Sequence, residues 1–277
     1  MWPNWLRLFL GKERIVGSNP TMGSMKNPKI PVSELIYEPR INILGATAFS
    51  EPDHLKVNWE GEATELERMV EYAGRVCYMS YHNPAKRTTD TYISNILKQK
   101  HYSVLEHSNI TVLIEGVSRS LTHELVRHRH LSFSQLSQRY VDESECSFVI
   151  PPAIIEDAEA FSDWYEDIKD IPEKYKRLSD RLYEKNATIT EKTLRRKVAR
   201  EAARSVLPNC TETKLVVTGN IRAWRDVLVL RGSTHAEREI RRLAVALLKQ
   251  FKYISEILFS GFEIYTAEDG LEAIKVT

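Results

Sequence analysis

Between Asn109 and Leu125 the hydrophobic pattern changes its period. Ile110, Val112 and Ile114 alternate with Thr111, Leu113 and Glu115, the two-residue repeat of a strand with one buried face. Its β-branched content favours the same reading. Ser118 then stands where a helix N-cap belongs, which predicts a helix over about Arg119–Arg129. Such a strand needs partners along its edges and an apolar layer on its face. Ile41–Phe49 and Thr213–Thr218 read as further strands. Helices supply the layer. Thr64–Tyr78 carries Leu66, Met69, Val70, Ala73 and Cys77 on one face, and Thr89–Lys98 is a shorter helix. Pro151 and Pro152 open a mostly helical segment to about Lys185, broken near Pro172, and a further helix runs to Leu207, where Pro208 stops it. Asn220 is placed to cap a helix ending near Leu230. Thr234 and Glu237 form a capping box for a last helix with the stripe Ile240, Leu243, Ala244, Leu247, Leu248, Phe251 and Ile254. Interleaved strands and helices, with several helix-only stretches, predict a single α+β domain: a mixed or antiparallel sheet with packed helices.

Composition narrows the function classes. Hydrophobic residues are 42% and charged residues 28% of 277, the profile of a soluble globular protein. The formal net charge of +1 gives no global field for nucleic acid or an anionic membrane, so an anionic ligand has to be held by local arginine clusters. Cys77, Cys146 and Cys210 include no Cys-x-x-Cys pair, which argues against a disulfide framework and a thiolate zinc site and suits a reducing cytoplasm. No run approaches the roughly 20 apolar residues of a membrane span. Residues 1–24 are expected to be a disordered or over-called extension, because the apolar stretch Trp5–Leu10 is short and interrupted by Arg7. The domain then occupies 25–277. The Gly-rich strand–turn–helix of dinucleotide folds is absent, so a flavin here would not use that fold.

Residues 127–140 read Arg-His-Arg-His-Leu-Ser-Phe-Ser-Gln-Leu-Ser-Gln-Arg-Tyr. Arginine forks suit phosphate and carboxylate, and serine hydroxyls with free backbone N–H groups suit phosphate oxygens. Taken alone, the stretch fits an anionic small-molecule site, a solvated basic helix end, a nucleic-acid patch using Phe133 and Tyr140, or a metal site using His123, His128 and His130.

Arg127-His128-Arg129, seven residues, then Ser137 resembles the signature of flavin-dependent thymidylate synthases. The flanks Glu124-Leu125-Val126 and Gln138-Arg139-Tyr140 agree with it. So do His101-Tyr102-Ser103-Val104-Leu105-Glu106-His107, Glu201-Ala202-Ala203-Arg204 before Leu207-Pro208, and Asn220-Ile221-Arg222 followed by Leu230-Arg231 and His235. The similarity runs from about Ile41 to about Phe251.

The resemblance implies reductive methylation of dUMP to dTMP, with 5,10-methylenetetrahydrofolate as one-carbon donor and FAD as a hydride carrier reduced by NADPH. It implies a homotetramer with shared active sites, no nucleic-acid or membrane partner and no metal. Arg231 would favour ionisation at uracil N3, aided by the positive end of a helix starting near Thr234. The dUMP residues would be Glu124, Leu125, Val126, Arg127, Gln135, Leu136, Ser137, Gln138, Arg139, Arg204 and Arg231. The FAD residues would be Ser103, Arg127, His128, Arg129, Gln135, Asn220, Ile221, Arg222 and Asp226. Asp226 stands where an amide or histidine is expected, and a carboxylate there would repel a flavin phosphate. Arg204 could instead pair with Glu201, and Arg231 with Glu237 or Asp226. No base stands beside Cys210 in sequence, and the resemblance places it outside the site, so no cysteine nucleophile is expected.

Overall fold

A computed structural model describes residues 35–277; the expectation for residues 1–24 lies outside them. The described chain forms two compact units, each discontinuous in sequence: a smaller one from 35–38, 116–120 and 135–213, and a larger one from 39–115, 121–134 and 214–277.

The larger unit holds the body of a four-stranded sheet. Its strands are β2 (Arg40–Ala46), β3 (Asn109–Ser118), β4 (Leu131–Gln135) and β6 (Glu212–Asn220), in the order β2-β3-β6-β4. Strands β2 and β3 run antiparallel, with Ile41 opposite Ile114 and Ile43 opposite Val112. Ile110, Val112 and Ile114 are fully buried, as the alternation predicts. Helices α1 (Glu65–Tyr78), α2 (Thr89–Lys98), α8 (Ile221–Gly232) and α9 (Arg238–Ile254) also belong to this unit, as do the short α3 (Arg119–Leu125) for most of its length and the hairpin of β7 (Phe262–Thr266) and β8 (Glu272–Val276). A capping box opens α1: Thr64 accepts from the Glu67 N–H while Glu67 Oε2 accepts from the Thr64 N–H at 2.7 Å. Asn220 caps α8 by accepting from the Ala223 N–H at 2.8 Å. Trp224 on α8 is fully buried. Its Nε1 donates to the Ile110 carbonyl at 3.1 Å and its ring lies 5.0 Å from Phe251 on α9. Between Ile240 and Phe251 the stripe of α9 is buried throughout. Each large side chain in it contributes about 1.5–3 kcal/mol of apolar burial.

The smaller unit pairs β1 (Leu35–Ile36) with β5 (Phe148–Val149) in parallel and packs α4 (Pro152–Ile155), α5 (Ala158–Ile168), α6 (Ile171–Lys185) and α7 (Lys192–Ala203) beside them. Phe148, Ile150, Ile155, Phe161 and Ile168 form its core. One parallel pair together with the antiparallel ones makes the strand content mixed, within an α+β fold.

Several boundaries differ from the sequence reading. Helix α3 ends at Leu125, not Arg129, and the Arg127 and His128 N–H groups close tight turns onto Glu124 and Leu125. The helical segment is interrupted near Pro172, as expected: α5 ends at Ile168 and α6 begins at Ile171, with Pro172 in its first turn, where its missing N–H has no partner to lose. Arg204 belongs to a 3₁₀ turn, Arg204–Val206, beyond α7. The Thr234–Glu237 capping box does not form. Helix α8 continues to Gly232, and Glu237 itself caps α9 by accepting from the Glu239 and Ile240 N–H groups. Arg231 therefore lies in the last turn of α8, not ahead of a positive helix end.

Candidate active site

Arg231 is held from three sides within the larger unit. Its Nε donates to His128 Nε2 at 3.0 Å, its Nη1 to Glu124 Oε2 at 2.5 Å and its Nη2 to the Glu124 carbonyl at 3.3 Å. Glu124 lies in α3 and His128 in the turn that follows, so the shortness of α3 brings both to one guanidinium. Neither Glu237 nor Asp226 takes the Arg231 pairing. The His128 imidazole is held below its usual range, first by burial and then by the Arg231 cation, with Asp226 opposing weakly. A neutral ring accepting at Nε2 matches the geometry. Arginine carries five N–H donors, so two of Arg231 remain for a ligand.

Two cavities in the same unit gather four of the expected flavin residues, Ser103, Asn220, Arg222 and Asp226, and are not lined by Arg127, His128, Arg129, Gln135 or Ile221. One of about 200 Å³ is lined by Glu106, His130, Asn220, Arg222, Ala223 and Asp226. The other, of about 700 Å³, includes Cys77, Tyr92, His101, Tyr102, Ser103 and Arg222 in its wall. Arg222 faces both, steered by Glu106 at 2.6 Å. Hydroxyl, imidazole, amide and guanidinium donors with tyrosine rings suit a flavin's phosphates and rings, so the residues fit that group. Ile221 and Leu125 are fully buried, which leaves only their backbone for any ligand, whereas Val126, Arg127 and Arg129 are exposed.

In the smaller unit the segment after β4 is braced by charged side chains. Arg119 Nη1 donates to the Leu136 carbonyl at 3.4 Å. Arg200 donates to the Tyr140 carbonyl at 2.5 Å and to Asp142 at 2.7 Å. Glu201 takes Arg139 at 2.8 Å, so the alternative pair with Arg204 does not form. Arg204 thus makes no ion pair among the described residues. Gln135 donates to Thr213 Oγ1 at 3.4 Å, Gln138 is buried, and Tyr140 and Val141 close a turn onto the Ser137 carbonyl. Sequence reasoning missed Arg119 and Arg200, which carry no local signal; Glu106 and His130 lie inside the quoted motifs but were given no flavin role.

Among the described residues no group of three or more His, Cys, Asp or Glu is placed to hold a metal, and no helix is long and apolar enough to cross a membrane.

Residues 62–255 match the family model described as thymidylate synthase complementing protein. The flavin-dependent thymidylate synthase of Mycolicibacterium gilvum is 46% identical over 235 residues, covering 84% of this chain and 93% of its own length. That of Mycobacterium tuberculosis strain ATCC 25177 / H37Ra is 44% identical over the same shares. The fold is also that of a UMP/dUMP methylase, PolB, from Streptomyces cacaoi, solved with 5-Br dUMP, at a TM-score of 0.61 and 21% identity over 82% of this chain and 95% of that one. The chain belongs to the thymidylate synthase complementing protein family, within its flavin-dependent thymidylate synthases.

Proposed function

We propose that the chain converts dUMP to dTMP, with 5,10-methylenetetrahydrofolate giving the one-carbon unit and NADPH reducing FAD, as a homotetramer with shared active sites. The observation that supports this most is the three-point hold on Arg231 by Glu124 and His128. A guanidinium fixed in this way meets its ligand without having to be ordered first, which is the requirement for electrostatic stabilisation of a developing anion. Its two remaining N–H groups would face the uracil edge and favour loss of the N3 proton. Negative charge in the ring then strengthens C5 as the attacking carbon. Burial keeps His128 neutral, so it orients Arg231 without adding a competing cation.

Ser137, Arg139, Arg204 and the backbone of Gln135–Arg139 would bind the nucleotide phosphate. Arg204, with no carboxylate partner among the described residues, suits a dianion. Ser103, Arg127–Arg129, Gln135, Asn220, Ile221, Arg222 and Asp226 would contact FAD, whose chemistry when bound is to carry the hydride that completes the methyl group. Glu106 steers Arg222 and, with Asp226, adds negative charge to the smaller cavity, so Asp226 is the least favourable of these residues for a flavin phosphate. Cys210 packs at the edge of the smaller unit's apolar core, a setting that supports a reaction without a cysteine nucleophile.

Arg231→Ala is expected to lower dTMP formation at least about 100-fold, the scale of losing one preorganised donor, with flavin absorbance and circular dichroism retained. Turnover within a few-fold of the parent would remove Arg231 from the mechanism.

A further inference from the structure

Arg87 and Lys100 stand in the wall of the larger cavity, and the mechanism above uses neither. Both are exposed, and neither side chain makes a hydrogen bond or an ion pair among the described residues. Arg222, in the same wall, is matched by Glu106. The chain holds Arg87 in place through its backbone. Asn83, 5% exposed, donates from Nδ2 to the Arg87 carbonyl at 2.9 Å and accepts from the Arg87 N–H at 3.1 Å. The same nitrogen donates to the Asn58 carbonyl at 3.2 Å, and the Asn58 N–H donates to the Tyr81 carbonyl at 3.0 Å, so the loop between α1 and α2 is tied to the segment ahead of α1. Met79, Asn83 and Lys86 in this loop, and Lys100 beyond α2, have φ of 50°, 40°, 47° and 57°. That left-handed conformation is uncommon for residues other than glycine, asparagine and aspartate. Met79, Lys86 and Lys100 each adjoin or belong to the cavity wall, where backbone is held against its local preference.

A fixed aromatic ring shares this wall. The Arg75 guanidinium lies 4.8 Å from the centroid of the Tyr92 ring, and Arg75 is itself buried and paired with the buried Glu71 at 2.6 Å. The Tyr92 hydroxyl fills the space that a side chain at Gly74 would need: a Cβ there would lie 2.7 Å from it. A ring held on two sides and a braced guanidinium with open donors suit a ligand that is aromatic and carries a negative charge. We infer that Arg87, with Lys100 in the same wall, binds the anionic outer end of an aromatic cosubstrate, and that Asn83 is the positioning residue that presents Arg87. This rests on the proposed reductive methylation, which brings two molecules of that kind to the flavin. NADPH carries a phosphate on its adenosine ribose, and the folate carries carboxylates on its glutamate. Arg87 is then a specificity-determining residue, favouring the cosubstrate that has the anion over a counterpart that lacks it. Ser103 and Arg222, in the same cavity, are left for FAD.

Calorimetric titration of the flavin-loaded protein, with dUMP present, compares NADP+ with NAD+, which lacks the ribose phosphate, and tetrahydrofolate with tetrahydropteroate, which lacks the glutamate. Arg87→Ala is expected to weaken NADP+ or tetrahydrofolate by about tenfold or more, the scale of a hydrogen bond to a charged group, and to leave the counterpart within about twofold. Loss confined to NADP+ identifies the phosphate as the anion, and loss confined to tetrahydrofolate identifies the glutamate. Arg87→Lys, which keeps the charge, should recover part of the lost affinity. Asn83→Ala is expected to raise the KM for the same cosubstrate with kcat retained. A merely structural role would lower stability and weaken both members of a pair alike. Such parallel weakening, or unchanged affinities in the Arg87→Ala/Lys100→Ala double variant, would overturn the inference. So would a wild type that distinguishes neither pair. Should Arg87→Ala fail to fold, Arg87→Gln decides by the same comparison. A wild type that shows the expected preference yet forms no dTMP from the complete substrate mixture would remove the functional reading and leave the anion site standing.

Discussion

Arg231 shows how much of a residue's role depends on its neighbours. Its identity is visible in the sequence, but its partner Glu124 lies 107 positions away and no local pattern predicts that pairing. The sequence reading credited a positive helix end with helping Arg231. In the structure the residue sits in the last turn of α8, where the helix dipole presents its negative end, so the help comes from the two side chains that hold it. Cys210 leads to the opposite expectation. Packed at an apolar edge and outside the proposed site, it should tolerate alanine with turnover nearly unchanged. Complete loss of activity in Cys210→Ala with FAD still bound would show that a covalent step had been overlooked. Glu143 makes a stability prediction of its own. Its carboxyl is raised in the fold to about 7, largely by burial. The stabilisation from the neutral acid is then complete below the unfolded carboxyl range and is lost as pH rises through about 7. The melting temperature of the wild type is expected to fall between pH 5 and pH 8, and Glu143→Gln to flatten that dependence; parallel curves would speak against a raised carboxyl.

At the scale of elements, the sequence was most legible where one side chain acts on its own backbone neighbours. The Asn220 cap and the alternation along β3 both stand where the residues put them. Helix ends set by tertiary contacts were not legible. The stop of α3 at Leu125 leaves Arg127 and His128 in tight turns. Its start is likewise settled from afar, since the Arg119 and Ser120 N–H groups donate to the Thr211 and Asn209 carbonyls. The start of α9 is a case of two plausible caps, of which Glu237 wins because α8 runs on to Gly232 and leaves Ser233–Ala236 as a turn. This gives a discriminating pair of variants. Glu237→Ala should destabilise the protein by about 1 kcal/mol, as loss of an N-cap does, while Thr234→Ala should leave chemical denaturation midpoints almost unmoved. The reverse order would restore the capping box read from the sequence. Gly219 illustrates a close approach that only coordinates reveal: a Cβ there would lie 2.2 Å from Leu131 Cδ2, so β6 meets β4 through the missing side chain.

For the whole molecule, family membership was legible because the polar motifs are long, specific and in order along the chain, and the match over residues 62–255 covers the same stretch. Partners between distant motifs were not. Arg222 and Glu106 are 116 positions apart, and Arg139 takes Glu201, which the sequence offered only as an alternative partner for Arg204. Such pairings depend on how segments are brought together, and side-chain type alone leaves several acceptors open. The central claim is that this chain methylates dUMP reductively, using a folate carbon and a flavin hydride. It is tested most directly by incubating the pure, flavin-loaded protein with dUMP, NADPH and 5,10-methylenetetrahydrofolate carrying two deuteriums on the methylene carbon, and weighing the product by mass spectrometry. The account predicts dTMP containing both deuteriums, formed only when NADPH is present; the absence of dTMP, or dTMP without the label, would contradict it.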